Sequence, residues 1–215
     1  MDRRYDAVLF DLLTALVDSW TLWNRVAGNS DDGKRWRTAY LRNTYGAGAY
    51  RPYEALVAEA AEEAGLSRRL ADGLAAGYAA LEPWPEAPGI LSALSKIVPI
   101  GIVTNCSERL GRIAAGRTGA NFAVIVTAER AGFYKPHPRP YQIALDTLGV
   151  SSERCLFVAG SPYDLFGTSK LGLPAYWHDR IGMAAPADAP TPLWHEKTLT
   201  PLLDVLGLAL PRISG

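Results

Sequence analysis

Residues 7–16 read AVLFDLLTAL: four apolar residues, Ala7–Phe10, closed by a carboxylate at Asp11. A continuous apolar run, without apolar–polar alternation, is the pattern of a strand covered on both faces, as strands of parallel sheets are. Four further runs of this kind follow it: Ile100–Val103 (IGIV), Ala123–Val126 (AVIV), Cys155–Ala159 (CLFVA) and Ala175–Trp177 (AYW). Helical patterns stand between them, over Ala87–Lys96, Glu108–Arg117, Arg139–Leu148 and Tyr163–Leu171. The last three run into glycine or glycine-like stops. This alternation predicts an α/β fold, a doubly wound parallel sheet with helices on both faces.

The spacing breaks once. About 90 residues separate the first run from the second, and helical periodicity runs through them, over Thr21–Ala27, Gly33–Tyr45, Tyr53–Ala64 and Ser67–Leu81. The proline-studded EPWPEAPG (82–89) then returns the chain to the sheet. The expected organisation is an α/β core formed by 1–17 and 85–215, with a helical cap domain, 18–84, inserted after strand one. GAGAY (46–50) follows no strand and opens no GxGxxG, so it reads as a helix–helix turn. AAPADAPTP (184–192) reads as a surface loop before a C-terminal helix.

Composition narrows the function. Among 215 residues, 22 Lys+Arg balance 22 Asp+Glu, a formal net charge of zero, which argues against a nucleic-acid partner. No apolar run approaches the ~18 residues that span a bilayer, and MDRRYDAVLFD lacks the layout of a signal peptide. The two cysteines, Cys106 and Cys155, form no CxxC, and His137, His178 and His195 have no zinc-type spacing. A soluble, cytoplasmic protein without membrane contact is the expectation.

Ligands of open α/β sheets bind beyond the carboxyl ends of the strands. The residues there are Asp11 after strand one, Thr104 and Asn105 after strand two, Lys135 in FYKPHPRPY after strand three, and Gly160–Ser161 with Asp164 after strand four. Each alone could be a helix cap or a surface charge, as Ser161 could cap the helix after strand four. Together they bring two carboxylates, a lysine and a hydroxyl–amide pair to one end of the sheet.

The order FDLLTAL, VTNCS, YKPHPRPY, VAGSPYDLFG resembles the haloacid dehalogenase superfamily of hydrolases. That resemblance implies a Rossmann-like core with a mobile helical cap and puts Asp11 at the nucleophile position. Most members are Mg²⁺-dependent phosphatases with a second Asp two residues after the nucleophile; here that residue is Leu13. The missing acid would protonate an alkoxide leaving group, which a halide does not need. The sub-family that looks similar is the type II (L-)2-haloacid dehalogenases. It implies metal-independent hydrolysis of short 2-haloacids to 2-hydroxy acids through an aspartyl ester, with no cofactor.

Under that resemblance Lys135 keeps Asp11 ionised, and Asp164 with Ser161 positions the hydrolytic water. Arg37, after Trp36 on the second cap helix, meets the halide and carboxylate. Thr104 holds the carboxylate, Asn105 contacts the departing halide, and Tyr141, six residues after Lys135, is the active-site tyrosine. Leu12, next to the nucleophile, is expected at the substrate as well. Trp23, Tyr45, Tyr50 and Tyr163 are candidates for the pocket wall. The chain departs from the sub-family pattern three times: Thr14-Ala15 stands for Gly-Thr, Ala159-Gly160-Ser161 for Ser-Ser-Asn, and Leu13 for an aromatic two residues after the nucleophile. Relatives commonly pair through their cap helices, so a homodimer is among the expectations. Two alternatives stay open: a same-fold hydrolase of a phosphate ester or another C–X bond, and a non-catalytic binding member.

Overall fold

The structure is a computed structural model that describes residues 4–207. Its sheet has six parallel strands in the order β3-β2-β1-β4-β5-β6. They are β1 (Ala7–Phe10), β2 (Ile100–Thr104), β3 (Val124–Thr127), β4 (Cys155–Ala159), β5 (Ala175–His178) and β6 (Trp194–Glu196). Phe10 lies opposite Ile102 on one side and Val158 on the other, so β1 is central. Strand order reverses at β1, between β2 and β4, and the chain ends leaving β1, β2 and β4 emerge side by side.

The two faces of β1 bury separate sets of side chains, because successive residues of a strand point to opposite sides. Val8 and Phe10 pack with Ile102, Leu156 and Val158 under Leu91 and Leu94 of α5 (Ala87–Ser95) and Leu110 and Ala114 of α6 (Glu108–Arg117). Ala7 and Leu9 pack with Val103, Val126 and Phe157 under Tyr141 and Leu145 of α8 (Pro138–Leu148) and Leu165 of α9 (Asp164–Lys170). A short α7 (Ala128–Ala131) follows β3. Truncating a buried side chain such as Leu9 to alanine costs about 2–5 kcal/mol at sites of this kind.

Between β1 and α5 lie α1 (Ser19–Ala27), α2 (Ser30–Gly46), α3 (Tyr53–Glu63), α4 (Leu70–Gly77) and a 3₁₀ turn, Tyr78–Ala80. The side chain of Asp18 accepts from the Thr21 amide at the start of α1, and that of Asn29 from the Asp32 amide at the start of α2. Asn29 therefore starts α2 three residues before the expected Gly33. Trp23, Trp36, Tyr40 and Tyr53 pack ring against ring with centroids 4.6, 5.0 and 5.7 Å apart and tie the first three of these helices together.

The 46–50 segment is a turn between α2 and α3, as expected, and it also reaches the core. Gly48 accepts from the Tyr134 amide at 2.8 Å, and the Tyr50 amide donates to Gly132 at 2.9 Å. The loop that carries Lys135 is thereby pinned by the helical layer. The edge strand β6 went unforeseen: Trp194–Glu196 is three residues long with an exposed histidine at its middle, so it makes no apolar run. The expected C-terminal helix begins at α10 (Leu202–Val205).

Candidate active site

The β1 turn delivers Asp11 where the strand ends converge. Its Oδ1 accepts from Lys135 Nζ at 2.8 Å, and its Oδ2 takes only a long contact, 3.4 Å, from the Thr14 amide. Side chains from outside hold three consecutive carbonyls further along this turn. Ser19 Oγ donates to Leu13, Trp84 Nε1 to Thr14 at 2.7 Å, and His178 Nδ1 pairs with Ala15 at 2.9 Å. Three anchors on consecutive carbonyls fix the turn that carries the carboxylate.

Lys135 is 1% exposed and bridges two acids: Nζ is 2.8 Å from Asp11 Oδ1 and 2.8 Å from Asp164 Oδ1. Burial works against its charge, but Asp11 and Asp164 more than offset this and raise the ammonium above its ordinary range. Asp164 starts α9 and is fully buried. Burial raises its carboxyl, opposed by Lys135 and helped by the charge of Asp11. Its Oδ1 also accepts from the Tyr45 hydroxyl at 2.9 Å, while its Oδ2 has no protein partner. A carboxylate oxygen of raised basicity beside another carboxylate suits proton transfer from water.

Arg37 reaches the same place from α2. It is 1% exposed, its Nη2 donates to Thr14 Oγ1 at 2.9 Å, and its Nε and Nη1 are buried without a protein partner. Trp20 and Trp23 lie 4.8 and 5.3 Å from the guanidinium carbon, so aromatic faces rather than a carboxylate surround it. A buried cation with unused donors is costly unless an anion completes it.

Asp11, Leu13, Thr14, Arg37, Tyr40, Leu41, Tyr45, Thr104, Asn105 and Ser161 line one cavity. Its volume is about 20 Å³, room for one water or a monatomic ion. Thr104 Oγ1 is buried there with no partner. Ser161 Oγ accepts from the Tyr163 amide at 3.3 Å. Asn105 is committed differently from expectation: its Oδ1 accepts from Lys135 N at 2.7 Å and its Nδ2 donates to Lys135 O at 3.1 Å. One amide N–H is left for a ligand; the rest of the group holds the lysine loop.

Two expected substrate contacts do not line the cavity. Leu12 is fully buried and its carbonyl accepts from Leu16 and Val17, while Leu13 forms the wall instead. Tyr141 lies behind the site against Phe157, its hydroxyl 3.4 Å from the Asp164 carbonyl. Gly167 makes room for it, since a Cβ there would come within 2.6 Å of the Tyr141 ring. Of the candidate wall residues, Tyr45 lines the cavity, Tyr163 stacks on Tyr45 and Trp23 lies beside Arg37, whereas Tyr50 packs on Tyr134 away from it. Tyr40 and Leu41 were missed; only their place on the Arg37 helix, three and four residues on, could have signalled them.

Leu13 stands where the resemblance puts a second acid in magnesium-dependent phosphatases, and Lys135 takes one oxygen each of Asp11 and Asp164. Among the described residues no three His, Cys, Asp or Glu side chains gather as a metal's ligands would.

A doubly wound parallel sheet thus reverses at a carboxylate–lysine–carboxylate bridge under a layer of helices, which defines the class as an α/β fold with its polar cluster at the strand ends. A family model for haloacid dehalogenase-like hydrolases matches residues 5–168. The chain belongs to that family. Haloacetate dehalogenase H-2 of Moraxella sp. (strain B) is 32% identical over 110 residues, 50% of this chain and 49% of that protein. An (S)-2-haloacid dehalogenase of Pseudomonas sp. (strain YL) is 26% identical over 147 residues, 67% of this chain and 63% of the relative. A phosphoglycolate phosphatase of Xanthomonas campestris pv. campestris is 32% identical over 87 residues, 38% and 39% of the two chains. The chain thus spans from under half to under two thirds of the length of the curated relatives it matches. The L-2-haloacid dehalogenase of Xanthobacter autotrophicus, solved with chloropropionic acid covalently bound, shares the fold. Its TM-score is 0.84 at 21% identity, covering 95% of this chain and 100% of that one. Among the described residues no helix is long and apolar enough to cross a membrane.

Proposed function

We propose that this chain hydrolyses short 2-haloacids to 2-hydroxy acids through an ester on Asp11, without a metal. The observation that carries this reading is Arg37, whose Nε and Nη1 are buried without partners in the wall of the cavity that Asp11 lines. That is a ready anion site beside a nucleophile. The names of the Moraxella and Pseudomonas relatives agree with it.

The Asp11 carboxylate displaces halide from C2 from the opposite side, and the halogen leaves with the bonding electrons. Lys135 holds Asp11 ionised and oriented. Arg37, with the remaining amide N–H of Asn105, receives the negative charge that develops on the halogen. Thr104 takes the substrate carboxylate, and Leu13, Tyr40 and Leu41 exclude bulk water. Water held between Asp164 Oδ2 and Ser161 then attacks the ester carbonyl, and Asp164 takes its proton. Tyr141 supports Asp164 from behind, and Leu12 shapes the turn through its backbone.

In this reading residues 18–84 act as a cap on a core of 1–17 and 85–215. A cavity of about 20 Å³ admits a haloacid only when that cap lifts. Self-association through the cap helices and a cytoplasmic location belong to the same reading.

Halide release from chloroacetate and from each enantiomer of 2-chloropropionate, with and without EDTA, tests it. The expected result is EDTA-insensitive release, lost in Asp11→Asn. The phosphatase-named relative motivates the one competing outcome: magnesium-dependent phosphate release from p-nitrophenyl phosphate, without halide release, would overturn the dehalogenase reading.

A further inference from the structure

Tyr45, in the last turn of α2, grips the start of α9 in two ways. Its hydroxyl donates to Asp164 Oδ1 at 2.9 Å, and its ring stacks on Tyr163, the preceding residue, with centroids 5.1 Å apart. Asp164 Oδ1 therefore carries two donors, Lys135 Nζ and Tyr45, while Oδ2 is buried and bare. Lys135 comes from the core, but Tyr45 comes from the helical layer. The seating of that layer thus decides whether Asp164 has its full set of partners.

We propose that Tyr45 is a positioning residue that couples closure of the helical layer to the second half of the reaction. The inference rests on the dehalogenase reading and adds to it a division of labour. Halide displacement needs Asp11, Lys135 and Arg37 and no base. Ester hydrolysis needs Asp164 held so that its bare Oδ2 meets water. In that step the water oxygen bonds to the Asp11 carboxyl carbon and a water proton passes to Asp164 Oδ2. The bond from that carbon to the alkyl oxygen then breaks, and the departing oxygen takes the proton back from Asp164. Tyr45 keeps its own proton throughout. Burial and the Asp164 charge both raise its phenol well above the ordinary range, so it stays a donor.

Single-turnover halide release and intact-protein mass spectrometry, on wild type and Tyr45→Phe, test the coupling with 2-chloropropionate. Phenylalanine keeps the ring on Tyr163 and removes only the donor. The expected variant hydrolyses the ester at least tenfold more slowly relative to its own halide displacement and accumulates the Asp11 adduct. Asp164 is faced by Lys135, Asp11, Tyr45 and Tyr141. Losing the Tyr45 donor raises its carboxyl further, so the acid limb of ester hydrolysis moves to higher pH, which a merely structural change would not do. Wild-type ester hydrolysis in Tyr45→Phe, or equal slowing of both halves, overturns the coupling while the dehalogenase reading survives. No halide release by the wild type overturns both.

Discussion

The guanidinium of Arg37 meets the hydroxyl of Thr14 at 2.9 Å through Nη2, which leaves Nε and Nη1 without protein partners. Thr14 directs one corner of the fork, so the other donors hold a fixed direction beside Asp11. In the sub-family pattern this position is a glycine, which has no hydroxyl to offer.

Arg37→Lys should therefore retain the charge and still fail. An ammonium cannot reproduce a planar fork clamped at one corner. Each charged hydrogen bond lost contributes about 1.5–3 kcal/mol, so halide release should fall about 10- to 100-fold per bond. Thr14→Val removes only the clamp and should cost less than about tenfold in kcat/KM. Steady-state halide assays read both; an active Arg37→Lys would count against anion recognition by this residue.

Lys135→Met leaves Asp11 and Asp164 facing each other in a buried site. Removing one partner of a buried ion pair costs about 3–5 kcal/mol, and here the group removed serves two carboxylates. Urea unfolding should show that loss of stability together with loss of halide release. A second change, Asp164→Asn on the Lys135→Met background, should restore part of the stability and none of the activity.

Much of this was legible in the sequence, for physical reasons that differ by element. Strands β1 to β5 announce themselves because burial on both faces forces continuous apolar runs, whereas β6, at the edge with His195 exposed, is under no such constraint. Asp11, Lys135 and Asp164 were readable because strand ends converge wherever strand order reverses. The functions of Asn105 and Tyr45 were not, since each depends on which backbone or carboxylate a distant loop presents. One departure from the sub-family pattern, Gly160, has a packing reason: a Cβ there would lie 2.4 Å from the Ala15 nitrogen.

Gly160→Ala tests that fact. The added methyl would also stand 2.6 Å from Asp11 Oδ2 and 2.9 Å from the Thr14 carbonyl carbon, so the nucleophile turn must shift. Overpacking of this kind costs about 1–3 kcal/mol, which lowers the melting temperature by about 2–4 °C per kcal/mol in a chain of this size. Activity should drop more than tenfold because the atom displaced belongs to Asp11. Full activity in Gly160→Ala would mean that the turn tolerates movement and that its three carbonyl anchors are dispensable.

The anchor at Ala15 brings a pH dependence with a definite sign. The Ala15 carbonyl can only accept, so His178 donates from Nδ1 and its Nε2 lone pair is left buried and bare. Burial disfavours the imidazolium and lowers the His178 pKa below its ordinary value; Arg180 pushes the same way, while the Ala15 bond and Glu86 oppose. As pH falls through about 6.5, the ordinary value, the unfolded chain takes up this proton before the folded one does. His178 therefore contributes stability that is present above that value and lost as pH drops towards the folded pKa. Melting temperatures between pH 7.5 and 5 should fall in the wild type and fall less in His178→Asn, whose amide keeps a donor for Ala15 and cannot titrate. Parallel slopes for the two proteins would show that His178 takes up its proton equally in the folded and unfolded states and has no part in the acid limb.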